Sequence, residues 1–315
     1  MPQLRDEPLS LMTAALALLL ALPGGLGAAA APPESGSPPW VCVKAREGAL
    51  PGEMLLVAVR GHDDGLIPAG RFGPEPLCFW RAASGTYLSF AGLDLDASTG
   101  TRTMELELWG ADGGHSAWEQ EVVVGPKAFP EQRLKVDDRY VRLRPEDEAR
   151  AGREAARLNE VYSRRTPESF LSGSFGEPLS GRVSAAFGER RVFNGFPKSP
   201  HAGVDIAAPA GTPVLAPQGG LVALAEELFY SGNTVVLDHG CGLFTYYGHL
   251  SRISVKTGAM VRRGEALGLV GATGRVTGPH LHWTARLGRA RVDPASLTAL
   301  DLGFWAGPAA GDNGR

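Results

Sequence analysis

Five of the seven histidines fall between residues 201 and 282, and four of them, with one aspartate, make three short motifs able to bind a metal and move protons. The first is His201-Ala202-Gly203-Val204-Asp205. Pro200, Gly203 and Pro209 argue against a helix there, so a turn leading into a strand is expected. The second is His280-Leu281-His282, preceded by Pro279. On a strand these two imidazoles point to one face, about 6.5 Å apart by strand rise, while Leu281 and Trp283 face the opposite, buried side. One imidazole can then bind a metal while its neighbour stands beside the metal-bound water. The third is His249 in Tyr246-Tyr247-Gly248-His249-Leu250, at a strand end.

Taken singly, each motif is more often structural than functional. Together they contain the composition of a catalytic zinc site: three nitrogen or oxygen ligands and an open position. A carboxylate with two imidazoles leaves net charge near +1, which acidifies bound water and polarises a substrate carbonyl. Two remaining histidines would supply proton transfer and stabilise the oxyanion. His239, in Leu237-Asp238-His239-Gly240, reads as a structural residue in a turn, the alternative being a part in shaping a groove. Tyr246, Tyr247 and Asn194 are candidates for lining that groove or for plain packing. His62 and His115 sit in polar turns and read as solvated.

The elements that must position these residues are mainly β. From Trp40 to about Tyr140, runs such as Met54–Val59, Cys78–Trp80, Thr103–Trp109 and Glu121–Val124 predict an immunoglobulin-like β-sandwich over 40–140. A connecting helix is expected over 145–165. Pro145 suits its first turn, and Glu146, Asp147 and Glu148 complement the dipole. Residues 167–300 read as glycine-punctuated strands: Gly181–Phe187, Thr212–Ala216, Gly220–Glu226, Asn233–Asp238, Phe244–Tyr247, Gly264–Val270 and His280–Ala285. Gly211-Thr212-Pro213-Val214 and Gly258-Ala259-Met260-Val261 hint at a duplicated hairpin, as in an antiparallel barrel-sandwich hybrid. A Gly/Ala-rich tail, 301–315, ends the chain.

The 315 residues suffice for two domains, and the net charge of −3 gives no footprint for nucleic acid. Leu9–Leu22 is apolar but short for a membrane span, and small residues follow it at Ala28–Ala31. Residues 1–31 therefore read as a signal peptide and 32–39 as a linker, so export to the periplasm or beyond is expected, with no integral span in the mature protein. The three cysteines read first as buried small apolar residues; the alternative in such a compartment is that Cys42 and Cys78 pair inside the first domain and leave Cys241 free.

Residues 180–298 resemble the catalytic domain of the lysostaphin-like (LytM-type) zinc endopeptidases. The likeness rests on Phe187-Gly188, Ser199-Pro200-His201-Ala202-Gly203-Val204-Asp205, Ala208–Val214, Gly232-Asn233, Tyr247-Gly248-His249-Leu250 and Thr277-Gly278-Pro279-His280-Leu281-His282. It implies one zinc ion per chain on His201, Asp205 and His282, with His249 and His280 flanking the activated water. It further implies hydrolysis of peptide stems in bacterial peptidoglycan. Relatives lacking zinc ligands instead activate other wall hydrolases; all the ligands are present here, which favours an enzyme. Phosphocarrier domains share the hairpin duplication but need no His-x-x-x-Asp pair. The first region, including Phe129-Pro130-Glu131-Gln132-Arg133-Leu134, resembles the β-sandwich preceding the peptidase in some exported members. Such a domain is expected to limit access to the groove, the rivals being targeting and spacing. Which cross-link is cut and the oligomeric state are not legible in the sequence.

Overall fold

The computed structural model describes residues 39–61, 65–110, 113–135, 144–197 and 199–303. The expected signal peptide, nearly all of the expected linker, His62, the segment around Tyr140 and most of the tail lie outside them. Nine strands come first: β1 (Trp40–Lys44), β2 (Met54–Arg60), β3 (Ala69–Phe72), β4 (Glu75–Pro76), β5 (Trp80–Arg81), β6 (Tyr87–Gly92), β7 (Gly100–Trp109), β8 (His115–Val124) and β9 (Glu131–Leu134). Two antiparallel sheets result, ordered β1-β2-β6-β5 and β4-β3-β7-β8. Alternation along β7 explains their packing. Met104, Leu106 and Leu108 are buried, and Glu105 and Glu107 between them point outward.

Strand β2 does not alternate, because both its faces are covered. Leu55, Val57 and Val59 pack with Met104 and Leu106 between the two sheets. Met54, Leu56 and Ala58, on the other face, share a core with Leu88, Phe90, Leu243, Ala285, Val292 and Leu297. The middle sheet thus lies between its partner sheet and the second half of the chain. Charge ties the same seam: Arg291 donates to Asp94 at 2.6 Å and to Asp96 at 2.8 Å.

Helix α1 (Pro145–Ser163) begins on its proline and carries three acidic residues in the first turn. Val161, Leu158 and Tyr162 dock it on Leu224, Val236 and Phe244. Twelve strands follow: β10 (Arg182–Ala185), β11 (Arg190–Phe193), β12 (Phe196–Pro197), β13 (Gly203–Ala207), β14 (Pro213–Leu215), β15 (Gly220–Leu228), β16 (Gly232–Asp238), β17 (Leu243–Ile253), β18 (Met260–Val261), β19 (Ala266–Val270), β20 (His280–Leu287) and β21 (Ala290–Val292). Ten of them form one antiparallel sheet with the path β10-β13-β20-β17-β16-β15-β18, joined laterally by β14, β19 and β21. The sheet does not close into a barrel. A fourth, small sheet has the order β12-β11-β9, with β9 parallel to β11. A short helix not foreseen in the sequence, α2 (Pro294–Thr298), follows, with Asp293 capping the Ala295 amide at 3.0 Å.

The cysteine pairing differs from expectation. Cys78 and Cys241 form the disulfide, with Cα atoms 5.3 Å apart, and Cys42 is the free thiol. Cys42 lies on β1 opposite Ala58, where its side chain joins the core under the middle sheet instead of facing Cys78. Proximity in sequence misled; the bond spans 163 residues and both sulfurs stand beside the Pro167 carbonyl. Among the described residues no helix is long and apolar enough to cross a membrane.

Candidate metal centre

Two of the five expected site residues face each other across neighbouring strands. Asp205 on β13 is the register partner of His282 on β20, so both side chains leave the same face of the sheet. Period two puts His280 on that face too, while Leu281 and Trp283 are buried behind it. His201 arrives from the loop before β13. The three atoms His201 Nε2, Asp205 Oδ1 and His282 Nδ1 then form a triangle with edges of 3.1, 2.8 and 3.0 Å. His280 Nε2 stands 3.8 Å from the same carboxylate oxygen.

His249 needs a different device. It sits at a bulge in β17 with φ of 64°, a left-handed conformation that a histidine adopts only under constraint. Its amide donates to Ser231 O at 2.6 Å, which holds the bulge. The ring consequently turns onto the ligand face, 4.8 Å from the His280 ring and 5.9 Å from that of His282.

Backbone carbonyls set the tautomers. Nδ1–H of His201 donates to Ala186 O at 3.0 Å, that of His249 to Thr273 O at 2.9 Å, and that of His280 to Gly278 O at 2.9 Å. In the neutral form each of these rings therefore turns its Nε2 lone pair toward the site. Burial would raise the Asp205 pKa, but a proton shared with His201 or His282 at this range outweighs it and holds the carboxyl well below its usual range. Burial lowers His282, and it brings His249 down to about 4, so both rings are neutral at pH 7.

Lone pairs on His201 Nε2 and Asp205 Oδ1 point at one another at close range, which repels unless a proton or a cation lies between them. Two imidazole nitrogens and a carboxylate oxygen are also the donor set of a catalytic zinc site, with ligand bonds of about 2.0–2.2 Å. The residues fit the ion that the sequence resemblance implies. Among the described residues, His201, Asp205 and His282 are the group of potential ligands with donor atoms all within 4.8 Å of one another.

Other candidates separate. Tyr246 stands against His282, its ring 6.0 Å away, and its hydroxyl hydrogen-bonds Ser231 and Thr234. Tyr247 is fully buried on the opposite face and does not line the site. Asn194 occupies the turn between β11 and β12 with φ of 50°. His239 is fully buried, bonded to Gly219 O and Thr245 Oγ1. His115 lies on β8, not in a turn, and pairs with Glu107 at 2.6 Å. The carbonyls of Ala186, Thr273 and Gly278 are the orienting groups that the sequence reading missed. A backbone carbonyl carries no residue signature, so only the fold could reveal them.

Residues 199–294 match the profile of Peptidase family M23. The chain is 48% identical over 103 residues to the peptidoglycan DD-endopeptidase ShyA of Vibrio cholerae serotype O1, covering 32% of this chain and 24% of that protein. It is 43% identical over 116 residues to the DD-carboxypeptidase/endopeptidase Mpg of Neisseria meningitidis serogroup B, covering 37% and 27% respectively. The matches thus span about a quarter of those relatives' length. A Pseudomonas aeruginosa protein, whose crystal structure carries the description peptidase M23, aligns over 80% of this chain and 95% of its own at 34% identity, with a TM-score of 0.60. Both regions of the chain are therefore covered by that likeness, and the chain belongs to peptidase family M23.

Proposed function

We propose that this protein is an exported zinc-dependent endopeptidase that hydrolyses the peptide cross-links of bacterial peptidoglycan. The carrying observation is the convergence of His201, Asp205 and His282 on one face, with His249 and His280 beside them. The relatives named as a peptidoglycan DD-endopeptidase and a DD-carboxypeptidase/endopeptidase point to the substrate class. The apolar run Leu9–Leu22 and the Cys78–Cys241 bond suit passage to an oxidising compartment.

His201 Nε2, Asp205 Oδ1 and His282 Nδ1 would hold one zinc ion per chain. When bound, the ion supplies Lewis-acid polarisation of the scissile carbonyl and acidifies an attacking water. The chain's own residues manage the protons. His249 and His280 each carry their proton on Nδ1, tied to a carbonyl, so each offers Nε2 as a base. Once protonated there, the same atom can stabilise the negative charge developing on the carbonyl oxygen or return a proton to the leaving amine. Tyr246 walls the site beside His282.

Digestion of purified peptidoglycan, followed by mass spectrometry of the new amine ends, tests the reading. We expect cross-linked fragments to be cut, a chelator to stop the reaction and zinc to restore it. Absence of new amine ends would overturn it, and stimulation of a separate wall hydrolase without cleavage would indicate a regulator instead.

A further inference from the structure

Two of the three proposed zinc ligands are held by the central strands, but His201 is not. Every described polar contact of its backbone, and its ring Nδ1, goes to the segment Ala186–Glu189: its amide donates to Glu189 O at 2.9 Å, its carbonyl accepts from Gly188 N at 2.8 Å, and Nδ1–H donates to Ala186 O at 3.0 Å. That segment lies ahead of the residues matching the family profile. It is gripped in turn from the first region. Phe129 packs edge-on against Phe187, ring centroids 6.1 Å apart. The Phe129 ring also covers Gly188, whose φ is +79° and whose position leaves no room for a Cβ beneath that ring. Directly after it, Arg190 N donates to Pro130 O at 2.8 Å, and β9 runs parallel to β11 from Glu131 opposite Arg190 to Leu134 opposite Phe193. The grip is itself anchored, since Lys127 Nζ meets the fully buried Glu53 at 3.2 Å.

We infer that Phe129–Leu134 is a positioning element for His201, through which the first region sets the metal affinity of the peptidase site. Phe129 acts at one remove: it fixes the Ala186–Glu189 segment, and that segment fixes the ring. The inference rests on the zinc reading proposed above. Orienting partners of metal ligands typically govern about 10- to 100-fold in affinity.

The test compares full-length variants by zinc affinity, in competition with a chromophoric chelator, by the visible spectrum of the cobalt(II)-substituted protein, and by melting temperature without metal. Phe129→Ala should weaken zinc binding about 10- to 100-fold and change the cobalt bands, with Phe129→Leu recovering most of the affinity. Phe72→Ala, which empties part of the first region's own core, should lower the melting temperature yet leave affinity and spectrum unchanged. Gly188→Ala breaks the same contact from the opposite side and serves where Phe129→Ala does not fold. Parental zinc affinity in both Phe129→Ala and Gly188→Ala would overturn the inference alone, as would a loss in Phe72→Ala matching its loss of stability. A parent chain that binds no zinc would overturn both the inference and the zinc reading.

Discussion

The two β assemblies bury apolar faces alike but treat polar groups differently. In the first region the core between the sheets is aliphatic and aromatic; ion pairs such as Arg71–Glu105 and His115–Glu107 stand at the surface, and the one fully buried carboxylate described there, Glu53, is met by Arg46 and Lys127. In the second, β13, β17 and β20 turn one carboxylate and three imidazoles onto a single face, where Asp205 and His249 are each only 8% exposed. Removing charge from water costs several kcal/mol per ion unless partners compensate. Loop carbonyls and mutual contacts supply part of that compensation here. A sheet that carries such a cost on one face, while its other face is as apolar as the first region's, is organised around that polar face.

Removing the polar face should have the largest effect. His282→Ala takes away a donor of the triangle, so we expect metal analysis to find no stoichiometric zinc and peptidoglycan digestion to vanish, with the fold retained by circular dichroism. Zinc content equal to the parent's would remove His282 from the ligand set. A smaller effect separates binding from proton transfer. His249→Ala and His280→Ala should keep zinc while lowering turnover about 10² to 10⁴-fold each, since neither ring belongs to the triangle. Full activity in either variant would end its catalytic assignment.

The seam between the regions offers a third test. Cys78→Ser with Cys241→Ser opens a link spanning 163 residues. The chain-entropy model assigns a loop of that size about 5 kcal/mol. We expect a lower midpoint in chemical denaturation, with zinc content per folded chain unchanged because neither cysteine touches the site. An unaltered midpoint would mean that the shared core under β2 holds the regions together unaided.

That seam also shows where the sequence stops being legible. The histidine motifs, the strand under His280 and His282, and the helix beginning at Pro145 could be read because each depends on local spacing or capping. The run Met54–Val59 could be read as a strand, yet its unbroken apolar character says only that both faces are covered, not that Leu243, Ala285 and Leu297 cover one of them. The disulfide, the register of Asp205 against His282 and the parallel pairing of β9 with β11 are long-range and leave no local periodicity. Phe129–Leu134 stood out only by resemblance, and its contact with the His201 loop emerged from the fold.

His239 gives the finest contrast between the two faces, because it is a histidine buried on structural grounds alone. Its Nδ1–H donates to Gly219 O at 2.6 Å, and its Nε2 accepts from Thr245 Oγ1 at 2.7 Å. Tyr247 OH stands 2.7 Å from that same hydroxyl and completes a satisfied chain. Burial, opposed weakly by the Gly219 bond, lowers its pKa from 6.5 to about 4. Above pH 6.5 the ring is neutral folded and unfolded, so its contribution to stability is fully present. Between about 6.5 and 4 the unfolded chain takes a proton that the folded chain refuses, and stability falls with pH; below 4 this ring adds no further slope. The loss from one such group is about 3 kcal/mol over the window. His239→Gln can both donate and accept in the same place without titrating. The free energy of unfolding of this variant minus that of the parent should therefore rise as pH drops from 6.5 to 4, and the site histidines, common to both proteins, cancel. A difference that stays flat across that window would show that His239 titrates normally and that the buried chain does not hold it neutral.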